Sequence, residues 1–333
     1  MSVDRSGRLE KTRSLGLVMC VAIAIALPTM AAAQNYPDRA VRMIVPFATG
    51  GGVDVMARAL ANELQAKWNQ PVVVENLTGG NSTIGANTVA RAKPDGYTLL
   101  FSTDQSITAP YFVKDIPYDP LKDLAPVTLV ADVSQIVIAH PSLPVSDLKG
   151  LVAWAKQTRP TLNYGSYGIG SAIHLFYEAL KADTGIEMAH VPYRGASLVF
   201  SALTANEVQL ALAGTQSAPP LAQAGKIKLL AMDRPERHPL FPDVETLAEA
   251  GFPNIGPRPW YGVLTTAGTP PAVIQKIQKD ISEALNNEQF NQKNLKPFGY
   301  IPTNMPPAEF TAFVKSDYEQ KGRLAKIAGT KPE

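Results

Sequence analysis

Three consecutive glycines, Gly50, Gly51 and Gly52, follow an apolar run from Val41 to Val45 and a Pro46-Phe47 break. Behind them, Val53, Met56, Ala57, Leu60 and Leu64 recur at i, i+3, i+4, i+7 and i+11, the stripe of a buried helix face. A strand that feeds a glycine turn and then a helix leaves main-chain N–H groups bare at the positive end of the helix dipole. Phosphate, sulfate or carboxylate binds such a terminus. Phe47, Ala48, Thr49, Gly50, Gly51 and Gly52 are therefore expected to touch a ligand; the alternative is a tight turn that needs glycine at positive φ. Asp54, in the first helical turn, suits the dipole and reads as a helix-start residue.

Other candidates lie where further buried runs end. Thr103 and Asp104 close the strand expected over Tyr97–Phe101. Asp104 could accept from a ligand ammonium or hydroxyl but would repel a carboxylate, and a capping role is equally open. Ser166 and Ser171 flank a glycine loop and offer hydroxyls to an anion. His174, one turn later, serves either the ligand or the loop backbone. His140, His190 and His238 have no ligand-spaced companions and read as structural or exposed. Neither Ser166 nor Ser171 lies in Gly-x-Ser-x-Gly. There is no Gly-x-x-x-x-Gly-Lys-Ser/Thr run, no His-Glu-x-x-His, and no Gly-x-Gly-x-x-Gly after the first strand. No catalytic residue, metal or cofactor is expected.

The elements that must carry these residues alternate. A strand at Val72–Val74 leads to a polar glycine loop and a helix around Thr83–Arg91; Pro94-Asp95-Gly96 is a turn. The segment Val127–Ala139 reads as extended. Helix Asp147–Lys156, strand Leu162–Tyr164, strand Met188–Val191, strand Val208–Ala213 and strand Ile227–Ala231 follow, with short helices between. Trp260–Leu264 is extended again, Pro270–Leu285 is an amphipathic helix, and Ala308–Ile327 is the last one. Alternation of this kind predicts an α/β fold with helices on both faces of mostly parallel sheets, and ligands outside the carboxyl ends of the strands.

Arg5, Arg8, Lys11 and Arg13 precede an apolar run, Leu15 to Leu27, and the small-residue site Ala31-Ala32-Ala33. This is the pattern of an export signal, too short to span a bilayer comfortably. Cleavage after Ala33 leaves 300 of the 333 residues and removes four basic and two acidic side chains, taking the formal net charge from +2 to zero. The one cysteine, Cys20, leaves with the leader, which excludes thiolate catalysis, cysteine–metal sites and disulfides from the mature chain. Nothing in the charge balance favours nucleic acid.

Nine motifs in order resemble the substrate-binding receptors of tripartite tricarboxylate transporters, the Bug family of periplasmic proteins. They are YPDRAVRMIVPFATGGGVDVMAR (36–58), QPVVVEN (70–76), ARAKPDGYTLL (90–100), IPYDPLKDLAPVTLVA (116–131), LNYGSYGIGSAIHL (162–175), HVPYRG (190–195), AGKIKLLAM (224–232), FPDVETLAEAGFP (241–253) and WYGVLTTAGTP (260–270). The resemblance implies a type II periplasmic-binding-protein fold, a two-lobed Venus flytrap hinged by two crossing strands. Lobe one would be 34–133 with 255–333, and lobe two 134–254. It implies a periplasmic, monomeric receptor that binds a small organic acid (di- or tricarboxylate, acidic amino acid or aromatic acid). The ligand carboxylate would be held mainly by amides of the loop matching Pro46–Gly52. The partner would be a two-subunit inner-membrane permease or a sensor kinase.

From lobe two, Tyr193 and Arg194 are the side chains expected to reach the ligand, Arg194 as a bidentate carboxylate partner unless it simply faces solvent. Thr215 and Gln216 join them by loop position. Gly214-Thr215-Gln216 departs from the family's usual acidic residue and Asn, and Leu77–Thr83 departs from a commoner Arg-Pro-Gly-rich loop. The rivals are an exported hydrolase or lyase using Ser166, Ser171 or His174, and a receptor that serves only sensing.

Overall fold

The computed structural model describes residues 36–168, 171–193 and 196–332; the expected export leader lies outside them. Strands β1 (Val41–Val45), β2 (Val72–Asn76), β3 (Thr98–Thr103), β4 (Leu124–Asp132), β10 (Trp260–Thr266) and β11 (Ile301–Met305) form one sheet, in the order β11-β4-β10-β3-β1-β2. Strands β5 (Gln135–Ala139), β6 (Leu162–Ser166), β7 (Met188–Pro192), β8 (Leu210–Gly214) and β9 (Lys228–Met232) form the other, in the order β7-β6-β8-β5-β9. In each sheet the strands joined by helices pair in parallel: β1 with β2 and β3, and β6 with β7 and β8. Strands that arrive from the other sheet, β10 and β5, pair antiparallel. The fold is the two-lobed α/β architecture, each lobe a mixed sheet flanked by helices.

Strand β1 explains the layering. Val41, Met43 and Val45 face one core with Met56, Leu60 and Leu64 of helix Gly52–Trp68, while Ile44 faces the opposite core with Ala86 and Val89 of helix Thr83–Ala90. A strand buried on both sides reads as a continuous apolar run. Each such side chain contributes about 1.5–3 kcal/mol of burial.

The run Val127–Ala139 is two strands rather than one. It breaks at Val133-Ser134, and its halves, β4 and β5, belong to different sheets. The chain returns just before β10, and the two crossings touch where the Val133 amide donates to the Pro259 carbonyl (3.1 Å). Helix Pro307–Ile327 also spans the lobes. Phe310 and Val314 pack beneath the six-stranded sheet, whereas Leu324 enters the core of the five-stranded one.

That helix lies close against β10. A Cβ on Gly262 would stand 2.6 Å from Phe310 Cζ and 2.8 Å from Trp260 Cζ3, both on buried rings. Gly262→Ala is therefore expected to destabilise the protein by about 1–3 kcal/mol through overpacking. Urea unfolding measures this, and an unchanged midpoint would mean that the helix can shift away without cost.

Candidate functional site

Helix Gly52–Trp68 begins directly after the glycine turn. Its first bond runs from the Val55 amide to the Gly51 carbonyl (2.9 Å), so the amides of Gly52, Val53 and Asp54 stand ahead of the helical ladder. The amide of Gly50 does not join them, because it donates to Asp54 Oδ2 at 2.8 Å. Asp54 is buried and also receives Arg58 Nε (3.0 Å) and Asn76 Nδ2 (2.8 Å). Burial pushes its carboxyl up, but these three donors outweigh that and hold it below the ordinary carboxylate range. Asn76, at the carboxyl end of β2, also donates to the Phe47 carbonyl (2.9 Å) and accepts from Thr49 Oγ1 (3.1 Å). The loop is thus shaped by Asp54, Asn76 and Arg58, none of which its own composition reveals.

Beside this helix start, a cleft of about 500 Å³ opens between the lobes. Phe47, Val53, Thr103, Asp104, Phe112 and Lys321 line it from the first lobe. Gln135, Tyr167, Ser171, Ile173 and Leu175 line it from the second, with the crossing residues Val133, Pro259 and Tyr261 between. A larger groove of about 840 Å³ lies along the beginnings of β6 and β7, between Ala155–Leu162 and Thr184–Ala189. That is the amino end of those strands, whereas open α/β sheets bind ligands beyond the carboxyl ends. The cleft is the candidate site.

Lys321, on the last helix, was not indicated by any local motif. It is 2% exposed, with Nζ 2.7 Å from Asp104 Oδ2 and 3.0 Å from Asp317 Oδ1. Asp317 also accepts the Trp260 indole N–H at 2.9 Å. Burial lowers the Lys321 ammonium, yet the two carboxylates prevail and its pKa rises, so it stays charged. The Asp104 carboxyl moves up, chiefly by burial, with Asp317 adding to the shift and Lys321 opposing it.

The cleft gathers Phe47, Thr103, Asp104 and Ser171 of the expected contacts. Ser171 caps helix Ala172–Thr184, accepting the His174 amide at 3.3 Å. Gly50, Gly52 and Gln216 line a smaller cavity of about 200 Å³ with Met56, Phe298 and Tyr300. Ala48, Thr49 and Gly51 are exposed on the loop rim. Ser166 is fully buried, its hydroxyl 2.5 Å from His190 Nε2. His174 is buried with its ring 4.5 Å from that of His190, and burial together with His174 pulls the His190 pKa down to about 4. Tyr193 packs on the core beneath the second sheet. Thr215 is buried, donating from Oγ1 to the Phe298 carbonyl (2.8 Å). Arg194 lies outside the described residues. Among the described residues no group of three or more His, Cys, Asp and Glu is placed to hold a metal, and no helix is long and apolar enough to cross a membrane.

Residues 56–329 match the family described as the tripartite tricarboxylate transporter family receptor. The chain belongs to this family. It is 34% identical over 304 residues to a UPF0065 protein of Bordetella pertussis, covering 90% of this chain and 93% of that one. The solved periplasmic binding protein BugD is 33% identical, superposes with a TM-score of 0.71, and is matched over 90% of this chain and all of its own. An R. palustris protein solved with adipate is 32% identical, with a TM-score of 0.74 over 90% of this chain and 100% of that one. A TctC solute binding protein from Polaromonas is 25% identical, with a TM-score of 0.78 over 87% of this chain and 99% of that one.

The hinge between the lobes contains a titratable group. Asp233, buried after β9, has its pKa raised to about 7, first by burial and then by Asp132, against the main-chain amide of Arg258. An unfolded Asp titrates near about 4. Between those values the folded state holds more protons, so this group's contribution is complete below about pH 4 and is lost as pH rises towards 7. Relative to Asp233→Asn, the parent protein is expected to lose up to about 4 kcal/mol across that window. Urea unfolding at several pH values measures the difference, and a pH-independent gap would show that Asp233 titrates normally.

Proposed function

We propose that the mature chain is a non-catalytic periplasmic receptor that closes its two lobes around a small organic acid and releases it unchanged. The observation that carries this reading is the cleft itself. Val53, whose amide stands ahead of the helical ladder with those of Gly52 and Asp54, lines an interlobe space whose second wall comes from the other lobe. A carboxylate there would accept from peptide N–H groups at a helix start, and contact with both walls would favour the closed form. The adipate carried by the R. palustris relative is an acid of fitting size. Ligand contacts would come from the Phe47–Gly52 loop, Thr103, Asp104 and Ser171, with Gln216 at the margin; Arg194 is retained from the sequence alone. The lobes would divide as 34–133 with 255–333, and 134–254. Export would use the leader, with cleavage near Ala33. The partner would be a two-subunit permease of the tripartite tricarboxylate type or a sensor kinase, and the receptor would act as a monomer.

A hydrolase or lyase would need a nucleophile open to the cleft. The contact of Ser166 with His190 resembles one chemically, but Ser166 has no exposed surface and is absent from the cleft wall. Mass spectrometry of the acid recovered after incubation is expected to find it intact; product formation lost in Ser166→Ala would replace the receptor reading.

Calorimetry against aliphatic, hydroxy, amino, aromatic and tricarboxylic acids is expected to find at least one that binds, with X-ray scattering showing compaction on binding. No binding and no compaction across the panel would remove the proposal. Within the loop, Gly51 and Gly52 are expected to differ. A Cβ on Gly51 meets only the Ala48 carbonyl at 3.4 Å, whereas on Gly52 it would stand 3.1 Å from the hydroxyls of both Tyr261 and Tyr300. Gly52→Val should therefore weaken binding by about tenfold or more, and Gly51→Ala far less. Equal affinities for the two variants would take this helix start out of the site.

A further inference from the structure

We infer that the acid taken into this cleft carries a protonated amine, received by the open side of the Asp104 carboxylate while its own carboxylate occupies the Phe47–Val53 corner. The inference rests on the carboxylate-receptor reading above and narrows it to one substrate class, amino-bearing acids with an apolar body.

Asp104 and Lys321 are the charged side chains on the described cleft wall. They do not cancel. Lys321 lies between Asp104 and Asp317, so three buried groups sum to one net negative charge. The lysine is committed to that pairing, with Nζ within 3.2 Å of oxygens on both carboxylates. It is poorly placed to serve a third carboxylate, which would take the cluster to two net negative charges in a space largely removed from water. An arriving ammonium takes it to zero.

Asp104 also has the geometry to receive one. Oδ2 accepts from Lys321, and among the described residues no other side chain donates to this carboxylate. Asp104 is 8% exposed and opens onto the cleft. Burial, with Asp317 adding to it, pushes this carboxyl up against the pull of Lys321, so a second cation beside it would be stabilised. A ligand hydroxyl would supply a hydrogen bond but leave the charge unbalanced. Phe112, Val133, Ile173 and Leu175 of the same cleft wall offer hydrocarbon to the ligand's body.

The test is calorimetry on the mature protein with two matched series. One is phenylalanine, phenyllactate and 3-phenylpropanoate; the other is 6-aminohexanoate, adipate and hexanoate. In whichever series binds, the amino member is expected to bind at least about tenfold tighter than its hydroxy, diacid or unsubstituted counterparts. Asp104→Asn, which keeps shape and leaves Lys321 paired with Asp317, is expected to abolish that preference while retaining binding of the unsubstituted acid. Should Asp104→Asn fail to fold, the preference within the parent protein still decides. Tighter or equal binding of the diacid, hydroxy or unsubstituted member overturns the amine inference and leaves the receptor reading intact. Binding confined to acids outside both series, with no amine among them, overturns it likewise. No binding of any acid in the wider panel overturns the receptor reading itself.

Discussion

An ammonium group held inside the protein organises the first lobe and joins it to the cleft. Lys321 is almost wholly removed from water, which costs several kcal/mol for an isolated ion and is offset only by close, well-placed partners. Asp104 and Asp317 supply them at 2.7 and 3.0 Å. Each partner in turn ties down another element. Asp317 receives the indole of Trp260 at the start of β10, which pairs with both β3 and β4. Asp104 follows β3 and opens the short helix Gln105–Thr108. One cation therefore fixes the last helix, the crossing strand and the cleft wall in mutual register. Sliding that helix by a single turn would carry Lys321 away from the buried Asp104 and Asp317 away from the Trp260 indole, so the register that seats Leu324 in the second lobe's core is held by these two ties.

At the other side of the cleft the same constraint on buried charge is at work with the sign reversed. Asp54 is as buried as Lys321, and its donors are a peptide amide, a guanidinium and a side-chain amide. By taking the Gly50 amide it makes the glycine run into a defined turn. The amides that remain at the helix start are then held by the fold rather than by the ligand. A ligand at this helix start would therefore meet little loop-ordering cost to oppose its binding.

Much of this was legible from the chain. The strand–helix alternation came through because buried parallel strands are apolar runs and the helices show a 3.6-residue stripe. What escaped depends on tertiary placement. Val127–Ala139 has strand-forming residues throughout; local preference does not mark its passage between sheets at Val133-Ser134, which only the family resemblance had put there. Strand β11 contains Pro302 and Asn304, poor strand formers tolerated because β11 is an edge with one neighbour. Helix Glu288–Asn294 is polar and buries chiefly Phe290, so it carries no stripe. Lys321 reads locally as one more exposed residue of a charged helix. Only the folded chain brings it to Asp104, at a separation of 217 residues. Asp54 was legible as a helix-start residue, but not as the acceptor that shapes the preceding loop.

The hinge has more than its two crossing strands. Thr215 donates to the Phe298 carbonyl, and His238 contacts the next one, Gly299, at 2.9 Å. Because the Leu240 amide donates to His238 Nδ1 at 3.1 Å, the ring proton belongs on Nε2, which makes His238 the donor to Gly299. Burial lowers the pKa of this histidine, consistent with a neutral ring in that tautomer. Two consecutive carbonyls just ahead of β11 are thus held from the second lobe, as Val133 and Pro259 hold each other across the crossings. Hinge motions absorb their change at a few such positions. Thr215, placed by its loop among candidate ligand contacts, is also one of the ties between the lobes.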